Sequence, residues 1–209
     1  MTDFNALIEG YQRFRRDDWS RERERWAELS VGQKPRVMVI ACSDSRVDPT
    51  QIFDAAPGEI FVVRNVANLV PPCELDSSRH GVSAALEFAV TQLEVPEIVV
   101  MGHASCGGVH AALTKRFDGA EPGEGGFIAH WIDLLDDARD RIVAERGDGP
   151  EAIRALEHET VRVSIANLRT FPGVREREAA GKLKIHGAYF AIADGVLHVM
   201  GADGSFAPA

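Results

Sequence analysis

Three short runs of consecutive apolar residues alternate along the chain with stretches in which apolar residues recur every three or four positions. The runs cover residues 37–41, 60–63 and 98–101, and runs of this length are typical of strands buried on both faces. Helical spacing at residues 82–93 predicts a helix before the third run. Strands that alternate with helices indicate an α/β fold with a mostly parallel central sheet flanked by helices on both faces.

The C-terminal half continues this pattern and then changes it. Helical spacing at residues 128–142 and 150–170 predicts two more helices, and the second should stop before Pro172, which cannot continue a helix. Residues 183–192 and 196–200 are strand-like segments separated by an Asp-Gly pair, which favours a tight hairpin turn. We therefore expect a C-terminal antiparallel edge on the sheet.

Residues 1–30 predict an N-terminal helical arm with one apolar edge. The edge is formed by Phe4, Leu7, Ile8, Tyr11 and Phe14. Arginines then interleave with aspartates and glutamates, which favours a solvated, salt-bridged face over a nucleic-acid patch because the opposite charges cancel locally. We expect residues 1–209 to form a single domain, with the arm packed on the body or on a second subunit.

Composition and charge narrow the classes of function. The chain has 209 residues, of which 45% are apolar and 26% charged, as is ordinary for a folded globular domain. Its net charge of −9 at pH 7 repels phosphate backbones and anionic lipids, so we expect neither nucleic acid nor a membrane as a partner. The three cysteines cannot all be paired, and we expect a cytoplasmic protein without a signal peptide.

Two segments place metal-binding side chains directly after predicted strands. Residues 42–49 follow the first strand, and residues 102–108 follow the third. Because ligands of open α/β sheets bind beyond the carboxyl ends of the strands, both segments should face one site. Together they supply Cys42, His103 and Cys106. Three protein ligands with a fourth position open to water are typical of catalytic zinc.

The start of a predicted helix lies at Cys106, so we expect the helix dipole to lower the pKa of its thiol and favour the metal-binding thiolate. Gly107 and Gly108 should let the backbone approach whatever occupies the open position. Two alternatives remain open from these residues. Cys73 could be the fourth ligand of a structural site, or His103 could be the base for a nucleophile at Ser105 or Cys106.

Asp44 and Arg46 lie two residues apart, so their side chains can point to the same side and pair. Beside a zinc ion, the carboxylate could fill the fourth position and close the site. It could instead be held back by Arg46 and accept a hydrogen bond from zinc-bound water. A surface ion pair alone would be worth only ~0–1 kcal/mol. His110, one helical turn beyond Cys106, is a candidate proton relay.

Three motifs of the chain resemble those of the β-class carbonic anhydrases, in particular the plant-like branch. They are ACSDSRVDP at 41–49, PGEIFVVRNVANLVPP at 57–72 and GHASCGGV at 102–109. The resemblance covers residues 30–115 by motif and the remainder by overall layout. The first and third motifs together are highly specific for this family.

The resemblance implies an enzyme that hydrates carbon dioxide reversibly to bicarbonate and a proton. It implies one Zn²⁺ per chain, held by Cys42, His103 and Cys106, and a catalytic pair formed by Asp44 and Arg46. Zinc would lower the pKa of its bound water, and Asp44 would orient the attacking oxygen. The rival interpretations are a related enzyme that acts on carbon disulfide or carbonyl sulfide, and an inactive zinc-binding scaffold.

The plant-like branch also implies the substrate pocket and the assembly. The pocket would be lined by Gln33, Phe61, Val66 and Gly107, some of them contributed by a second subunit. Gln33 would donate a hydrogen bond to the developing negative charge on the substrate. We therefore expect a homodimer or a larger even homo-oligomer that binds carbon dioxide and bicarbonate.

Two features depart from the family's pattern. Relatives with a regulatory bicarbonate pocket carry a tryptophan where this chain has Val39, and Phe190 stands in the place of their tyrosine, although Arg64 is retained. The tyrosine of the plant-like substrate pocket is replaced by Phe88. We expect bicarbonate regulation of that kind to be absent, together with the hydrogen bond of the pocket tyrosine.

Overall fold

The structure is a computed structural model that describes residues 2–76 and 79–209 of the chain. It divides into two compact units, Met1–Lys34 and Pro35–Ala209. The first unit is helical and consists of α1 (Phe4–Phe14), a π-helical turn (Arg15–Trp19) and α2 (Arg23–Leu29).

The N-terminal unit has the features that its sequence predicts. Asp3 caps α1 by accepting a hydrogen bond from the backbone N–H of Ala6 at 2.9 Å. The rings of Phe14 and Trp26 meet edge to face, with centroids 5.7 Å apart, so the two helices contact each other. The apolar edge of α1 is exposed, with Phe4 at 75%. The helical arm is confirmed, and the surface on which its edge packs stays a prediction.

The second unit is built on a six-stranded sheet in the order β2-β1-β3-β4-β5-β6. The strands are β1 (Val37–Cys42), β2 (Ile60–Asn65), β3 (Glu97–His103), β4 (Lys184–Ala191), β5 (Val196–Met200) and β6 (Phe206–Pro208). The first four strands of the sheet run parallel, and β5 and β6 are antiparallel to their neighbours. The predicted fold class is confirmed, including its C-terminal antiparallel edge.

Helices cover both faces of this sheet. They are α3 (Pro49–Ile52), α4 (Gly81–Glu87), α5 (Gly107–Leu113), α6 (Gly126–Ile132), α7 (Asp136–Arg146), α8 (Pro150–Leu168) and α9 (Pro172–Ala179). Met38 and Ile40 of β1 belong to a core cluster shared with α4, α8 and α9. Val39 and Ala41 face the other way and pack with Ile52 of α3. This alternation is the period of two that a strand imposes.

The helix predicted at residues 82–93 is α-helical only to Glu87 and continues as a π-helical turn, Phe88–Gln92. The other differences from the sequence-based prediction lie in the C-terminal half. The helix predicted at residues 128–142 is interrupted by a 3₁₀ turn at Asp133–Leu135, and α7 starts afresh with Asp136 in its first turn, where the helix dipole favours acidic residues. Two short elements, α9 and β6, escaped prediction because neither carries a periodic apolar pattern. Within the described part of the chain, no helix is both long enough and apolar enough to cross a bilayer.

Candidate metal centre

The parallel register of the sheet brings the two predicted metal-binding segments to one edge. β1 ends at Cys42 and β3 ends at His103, and these strands are neighbours in which Ala41 lies opposite Met101. Cys106 follows shortly after β3 and immediately precedes α5. The carboxyl edge of the sheet therefore holds all three candidate ligands, as the sequence predicts.

The three ligand atoms have the spacing of a zinc site. The sulfur atoms of Cys42 and Cys106 are 3.9 Å apart, and two thiolates at Zn–S distances of ~2.3 Å in a tetrahedron would be ~3.8 Å apart. The ligand atoms of both cysteines and of His103 lie within 4.8 Å of one another, and all three residues are buried. In residues 2–76 and 79–209, this group includes neither Asp44 nor Cys73. The grouping in the described residues is thus the three-ligand set, and the open fourth position stays a prediction.

The ring of His103 is oriented to offer one nitrogen to a metal. Its Nδ1 lies 2.9 Å from the carbonyl oxygen of Ala104, to which it donates when it carries the proton. The other nitrogen, Nε2, is buried and has no hydrogen-bond partner in the described residues. Because a buried, unpaired imidazole nitrogen is costly, this orientation fits a zinc ligand better than an ordinary core histidine.

The two thiols of the site form a hydrogen bond and titrate as a pair. The hydrogen bond from Cys106 lowers the pKa of Cys42 to about 4, against the effect of burial, and backbone N–H groups of Asp44 and Ala67 lower it further. The same hydrogen bond and burial raise the pKa of Cys106. The predicted lowering of the Cys106 pKa is therefore wrong, although backbone N–H groups at the start of α5 act in the predicted direction. Binding a dication would replace the shared proton.

Arg46 holds the carboxylate of Asp44 in a bidentate pair, as predicted. Its Nε donates to Oδ1 at 2.9 Å and its Nη2 donates to Oδ2 at 2.6 Å. The guanidinium holds the pKa of Asp44 well below its usual range, although burial opposes the shift. Nη2 of Arg46 also donates to the carbonyl oxygen of Ser105 at 3.0 Å. The pair thus links the segment after β1 to the segment after β3.

The segment after β1 is also held by Arg64, a residue of β2. Its Nε donates to the carbonyl oxygen of Cys42 at 2.9 Å, and its Nη2 donates to that of Asp44 at 2.6 Å. Its Nη1 donates to Oδ2 of Asp48 at 2.8 Å. From the sequence, Arg64 is connected only with the regulatory pocket of relatives. The hydrogen bonds of Arg64 to these carbonyl oxygens could not be predicted from the sequence, because every residue has a backbone carbonyl and its side chain does not show which one is bound.

Two of the predicted pocket residues, Phe61 and Val66, have identified neighbours. Phe61 is half-buried, and its ring centroid is 6.0 Å from that of Phe88. Val66 is 39% exposed, and a Cβ added to Gly108 would lie 2.6 Å from its Cγ1. Gly108 is therefore needed for close packing, whereas a Cβ on Gly107 would meet nothing within 4 Å.

The remaining candidates lie outside the group of three ligands. Gln33 is exposed and belongs to the N-terminal unit. Cys73 is a half-buried free thiol whose backbone N–H donates to the hydroxyl of Thr170 at 2.7 Å. His110 is exposed and lines a cavity of about 580 Å³ behind Cys106. The proton-relay role of His110 stays a prediction.

Sequence reasoning missed a buried carboxylate behind the site. Glu157 of α8 is 3% exposed and accepts a hydrogen bond from the backbone N–H of Cys106 at 3.2 Å. The sequence feature that could have indicated Glu157 is its position among the residues of α8 that form the buried face of the helix. Other buried members of this face are Leu156, Thr160, Val161 and Ser164. A charged residue on such a face indicates a buried hydrogen-bond partner.

Comparisons with known proteins agree with this geometry. The sequence model of the family described as carbonic anhydrase matches residues 37–197. Beta carbonic anhydrase 3 of Arabidopsis thaliana is 36% identical over 203 residues, which cover 96% of this chain and 78% of that protein. The structure of the β-carbonic anhydrase CcaA has a TM-score of 0.89 at 32% identity, with 98% of this chain and 91% of that chain covered. One of two tetrameric β-carbonic anhydrases of Sordaria macrospora has a TM-score of 0.80 at 28% identity, with 95% of this chain and 97% of that chain covered.

A sheet whose carboxyl edge buries a Cys-His-Cys group with one coordination position left over is the framework of a zinc enzyme. The family match and the similarity along nearly the whole chain then settle its class: the chain belongs to the β-class carbonic anhydrases. It is a zinc-dependent enzyme that catalyses the reversible hydration of carbon dioxide to bicarbonate and a proton.

Proposed function

We propose that this enzyme hydrates carbon dioxide with Asp44 and Arg46 as its catalytic residues, beside one zinc ion held by Cys42, His103 and Cys106. The observation that carries the proposal is the bidentate contact in which Arg46 clamps the Asp44 carboxylate at 2.9 and 2.6 Å. The same guanidinium donates to the backbone next to a zinc ligand. The carboxylate is therefore fixed both in orientation and in charge.

Asp44 orients the reacting oxygen in this proposal. Zinc, when bound, supplies a Lewis acid that lowers the pKa of a water molecule in its open position. Because Arg46 holds the pKa of Asp44 low, the Asp44 carboxylate stays ionised and can only accept hydrogen bonds. It would accept the O–H of the attacking water, so that a lone pair of that oxygen faces the substrate carbon. Arg46 would keep the carboxylate from moving onto the metal.

We propose an apolar substrate pocket lined by Phe61, Val66 and Gly107, with Gln33 as its polar member and some of these residues contributed by a second subunit. Apolar walls suit a linear uncharged molecule, because binding such a molecule strips few hydrogen bonds from either partner. The half-exposed Val66 and the open space beside Gly107 support this assignment. Gln33 would donate its amide to the oxygen on which negative charge develops.

We propose that the chain forms a homodimer or a larger even homo-oligomer. The apolar edge of α1 supports this assembly, because Phe4 and Leu7 are 75% and 60% exposed and exposed apolar patches mark contact surfaces. The Sordaria macrospora relatives are described as tetrameric. Light scattering of the purified protein measures the assembly, and a monomer would contradict it.

We propose a cytoplasmic location for the enzyme. In the described residues, Cys42, Cys73 and Cys106 are not joined by disulfide bonds, and a zinc site with two thiolate ligands is best preserved where thiols stay reduced. Fractionation of cells that express the untagged chain tests the location. Recovery in an oxidising compartment would contradict the proposal.

Asp44→Asn tests the catalytic proposal, because an amide keeps the shape of the carboxylate and removes its charge. We expect the variant to keep its zinc and to lose ~100-fold or more in kcat, the scale of a lost positioned acid–base group. Stopped-flow measurement of carbon dioxide hydration, with a zinc count per chain on the same sample, gives both quantities.

The matched control is Glu178→Gln on α9. Arg169 also holds Glu178 in a bidentate pair, at 3.0 and 2.9 Å, so the same chemical change is made in the same kind of contact. We expect unchanged hydration in this control. A kcat of Asp44→Asn near that of the unmodified enzyme would contradict the role of Asp44. An unmodified chain that binds zinc and acts on carbon disulfide or carbonyl sulfide alone would contradict the substrate.

A further inference from the structure

The buried carboxylate of Glu157 is the least expected polar group near the zinc ligands. Its Oε1 accepts the backbone N–H of Cys106 at 3.2 Å, and its Oε2 accepts the hydroxyl of Tyr189 at 2.8 Å. Glu157 is 3% exposed and Tyr189 is 2% exposed. A carboxylate is costly to bury unless hydrogen bonds satisfy its oxygens, so its retention at this place needs a reason.

The hydrogen bond from Cys106 restrains one particular peptide group, the one that joins Ser105 to Cys106. The carbonyl oxygen of this peptide accepts from Nη2 of Arg46 at 3.0 Å. Its N–H donates to Glu157 on the opposite side. The peptide plane is therefore held from both sides, by a catalytic residue and by a buried carboxylate.

The backbone at this peptide needs such restraint. Ser105 has a φ of 57°, in the left-handed region that residues other than glycine adopt only at an energetic cost. A strained backbone conformation persists only when several surrounding contacts hold it in place. The side chain of Cys106 branches from the Cα at the end of this peptide, so a rotation of the peptide would displace its sulfur, a zinc ligand.

Glu157 is itself firmly oriented. Tyr189 lies on β4 opposite Gly102 of β3, so its hydroxyl is fixed by the sheet that carries His103. Burial and the neighbouring Glu157 raise the pKa of Tyr189 above its usual value, so the phenol stays a donor. The ring of Tyr189 is packed edge-on against His158, with centroids 4.5 Å apart. The chain of contacts thus runs from the sheet through Tyr189 and Glu157 to Cys106.

We propose that Glu157 is a positioning residue of the zinc centre. By fixing the Ser105–Cys106 peptide, it sets the place of the Cys106 sulfur and, through the Ser105 carbonyl, the orientation of Arg46 and hence of Asp44. This inference rests on the zinc site and on the catalytic pair proposed above. It adds that a residue without contact to the substrate controls both zinc affinity and turnover.

Glu157→Leu removes both acceptor oxygens at similar volume and leaves the N–H of Cys106 without a partner. We expect zinc to bind about 10-fold to 100-fold more weakly, and kcat of the zinc-loaded enzyme to fall by a similar factor, the usual scale for partners of metal ligands. We expect KM to change much less than kcat, because the substrate pocket is untouched. Chelator competition measures zinc affinity, and stopped flow separates kcat from KM.

Glu157→Gln is the conservative variant. Its amide oxygen can accept from Cys106, and its NH₂ group can donate to the oxygen of Tyr189, so the peptide stays restrained. We expect zinc affinity and kcat within about threefold of the unmodified enzyme, since a retained hydrogen bond changes little. A Gln variant as impaired as the Leu variant would overturn the proposal.

Ser164→Ala is the control for general damage to α8. Ser164 is fully buried on the same helix, and its hydroxyl bonds Asn68 and Val70 without touching a zinc ligand. We expect this variant to lower Tm while leaving zinc affinity unchanged. A merely structural role of Glu157 predicts the same behaviour for Glu157→Leu, and that outcome would overturn the positioning role.

Cobalt substitution provides a readout independent of activity. The visible absorption of protein-bound Co²⁺ reports the arrangement of its thiolate ligands, so a displaced Cys106 sulfur should shift the bands in Glu157→Leu and leave them in place in Glu157→Gln. If Glu157→Leu does not fold, Tyr189→Phe replaces it, since the loss of one orienting partner should weaken zinc binding severalfold. Unchanged affinity in Tyr189→Phe would then overturn the proposal. Zinc affinity is measured without turnover, so failure of the catalytic proposal would be seen separately.

Discussion

The two metal-binding segments occupy equivalent positions but are held in different ways. Residues 42–49 begin at the last residue of β1 and are fixed by charged side chains, with Arg46 on the Asp44 carboxylate and Arg64 on two carbonyl oxygens. Residues 102–108 begin at the end of β3 and are fixed by a buried carboxylate, a residue at positive φ and close backbone packing at Gly108. The first segment therefore depends on charge, and the second depends on shape and burial.

This difference assigns separate tasks to the two segments. The first carries the zinc ligand Cys42 and also Asp44, whose carboxylate has to be oriented while staying ionised in the role proposed above, and a guanidinium partner does both. The second presents His103 and Cys106, whose ligand atoms must meet at one point, and a tightly packed backbone fixes such a point better than flexible side chains. Substitutions that remove one kind of support should therefore affect one segment first.

Arg64→Leu should have the largest effect on stability, because it removes the support of the first segment. The side chain of Arg64 is 26% exposed, and its loss leaves the carbonyl oxygens of Cys42 and Asp44 without their donor. We expect the free energy of unfolding to fall by about 2–4 kcal/mol. We also expect kcat for hydration to fall about 10-fold or more, as for other groups that orient metal ligands. Urea denaturation and stopped flow measure the two effects.

Arg64→Lys sharpens this prediction. An ammonium keeps the charge but cannot reproduce the forked donor geometry that reaches three acceptors. We expect this variant to lie between the unmodified enzyme and Arg64→Leu in both measurements. Equal behaviour of the Lys variant and the unmodified enzyme would show that charge alone supports the segment, contrary to the geometry.

Gly108→Ala should have the next largest effect and tests the packing of the second segment. A Cβ at this position would lie 2.6 Å from Cγ1 of Val66 and 3.1 Å from Cβ of Ala67. We expect a loss of about 1–3 kcal/mol in the free energy of unfolding, as for other overpacked positions. Gly107→Ala is the matched control, because nothing lies within 4 Å of its added Cβ. Equal losses in urea denaturation of the two variants would contradict the packing argument.

Part of the first segment could be predicted from the sequence because those contacts are local, whereas the hydrogen bonds of Arg64 come from β2 and could not. Asp44 and Arg46 are two residues apart, and Asp48 caps the helix that starts at the next residue. The ligands Cys42, His103 and Cys106 follow strand ends, and in a parallel sheet those ends meet at one edge. Local pattern and sheet topology were sufficient for these features.

The support of the second segment could not be predicted because its contacts are distant in the sequence. Glu157 reaches Cys106 from α8, and Tyr189 reaches Glu157 from β4. Charged residues on helices are usually solvent-exposed, so the acid at Glu157 gave little indication of its partner. The packing role of Gly108 could not be predicted either, since only the three-dimensional structure shows that Val66 occupies the space a side chain would need.

Mild acid should destabilise the support of the second segment before that of the first, by a smaller amount than the substitutions above. Burial, with Arg154, Arg162 and His198 nearby, lowers the pKa of His158 from 6.5 to about 4, and this ring packs on Tyr189 at 4.5 Å. At a pH between these two pKa values, His158 binds a proton in the unfolded chain but not in the folded chain. The free energy of unfolding therefore falls as the pH decreases from 6.5 to about 4. We expect a loss of about 1–2 kcal/mol after discounting for solvent screening.

The first segment should respond only at lower pH. The pKa values of Asp44 and Asp48 are lowered from 3.8, mainly by hydrogen bonds from Arg46 and Thr50, so the stabilisation they provide persists above that value and is lost below it. In urea denaturation across this range, His158→Phe should remove the step between pH 6.5 and 4 and keep the lower one. His130→Gln, at a histidine whose side chain is 93% exposed, should leave both steps unchanged. A step between pH 6.5 and 4 that survives in His158→Phe would contradict the assignment to His158.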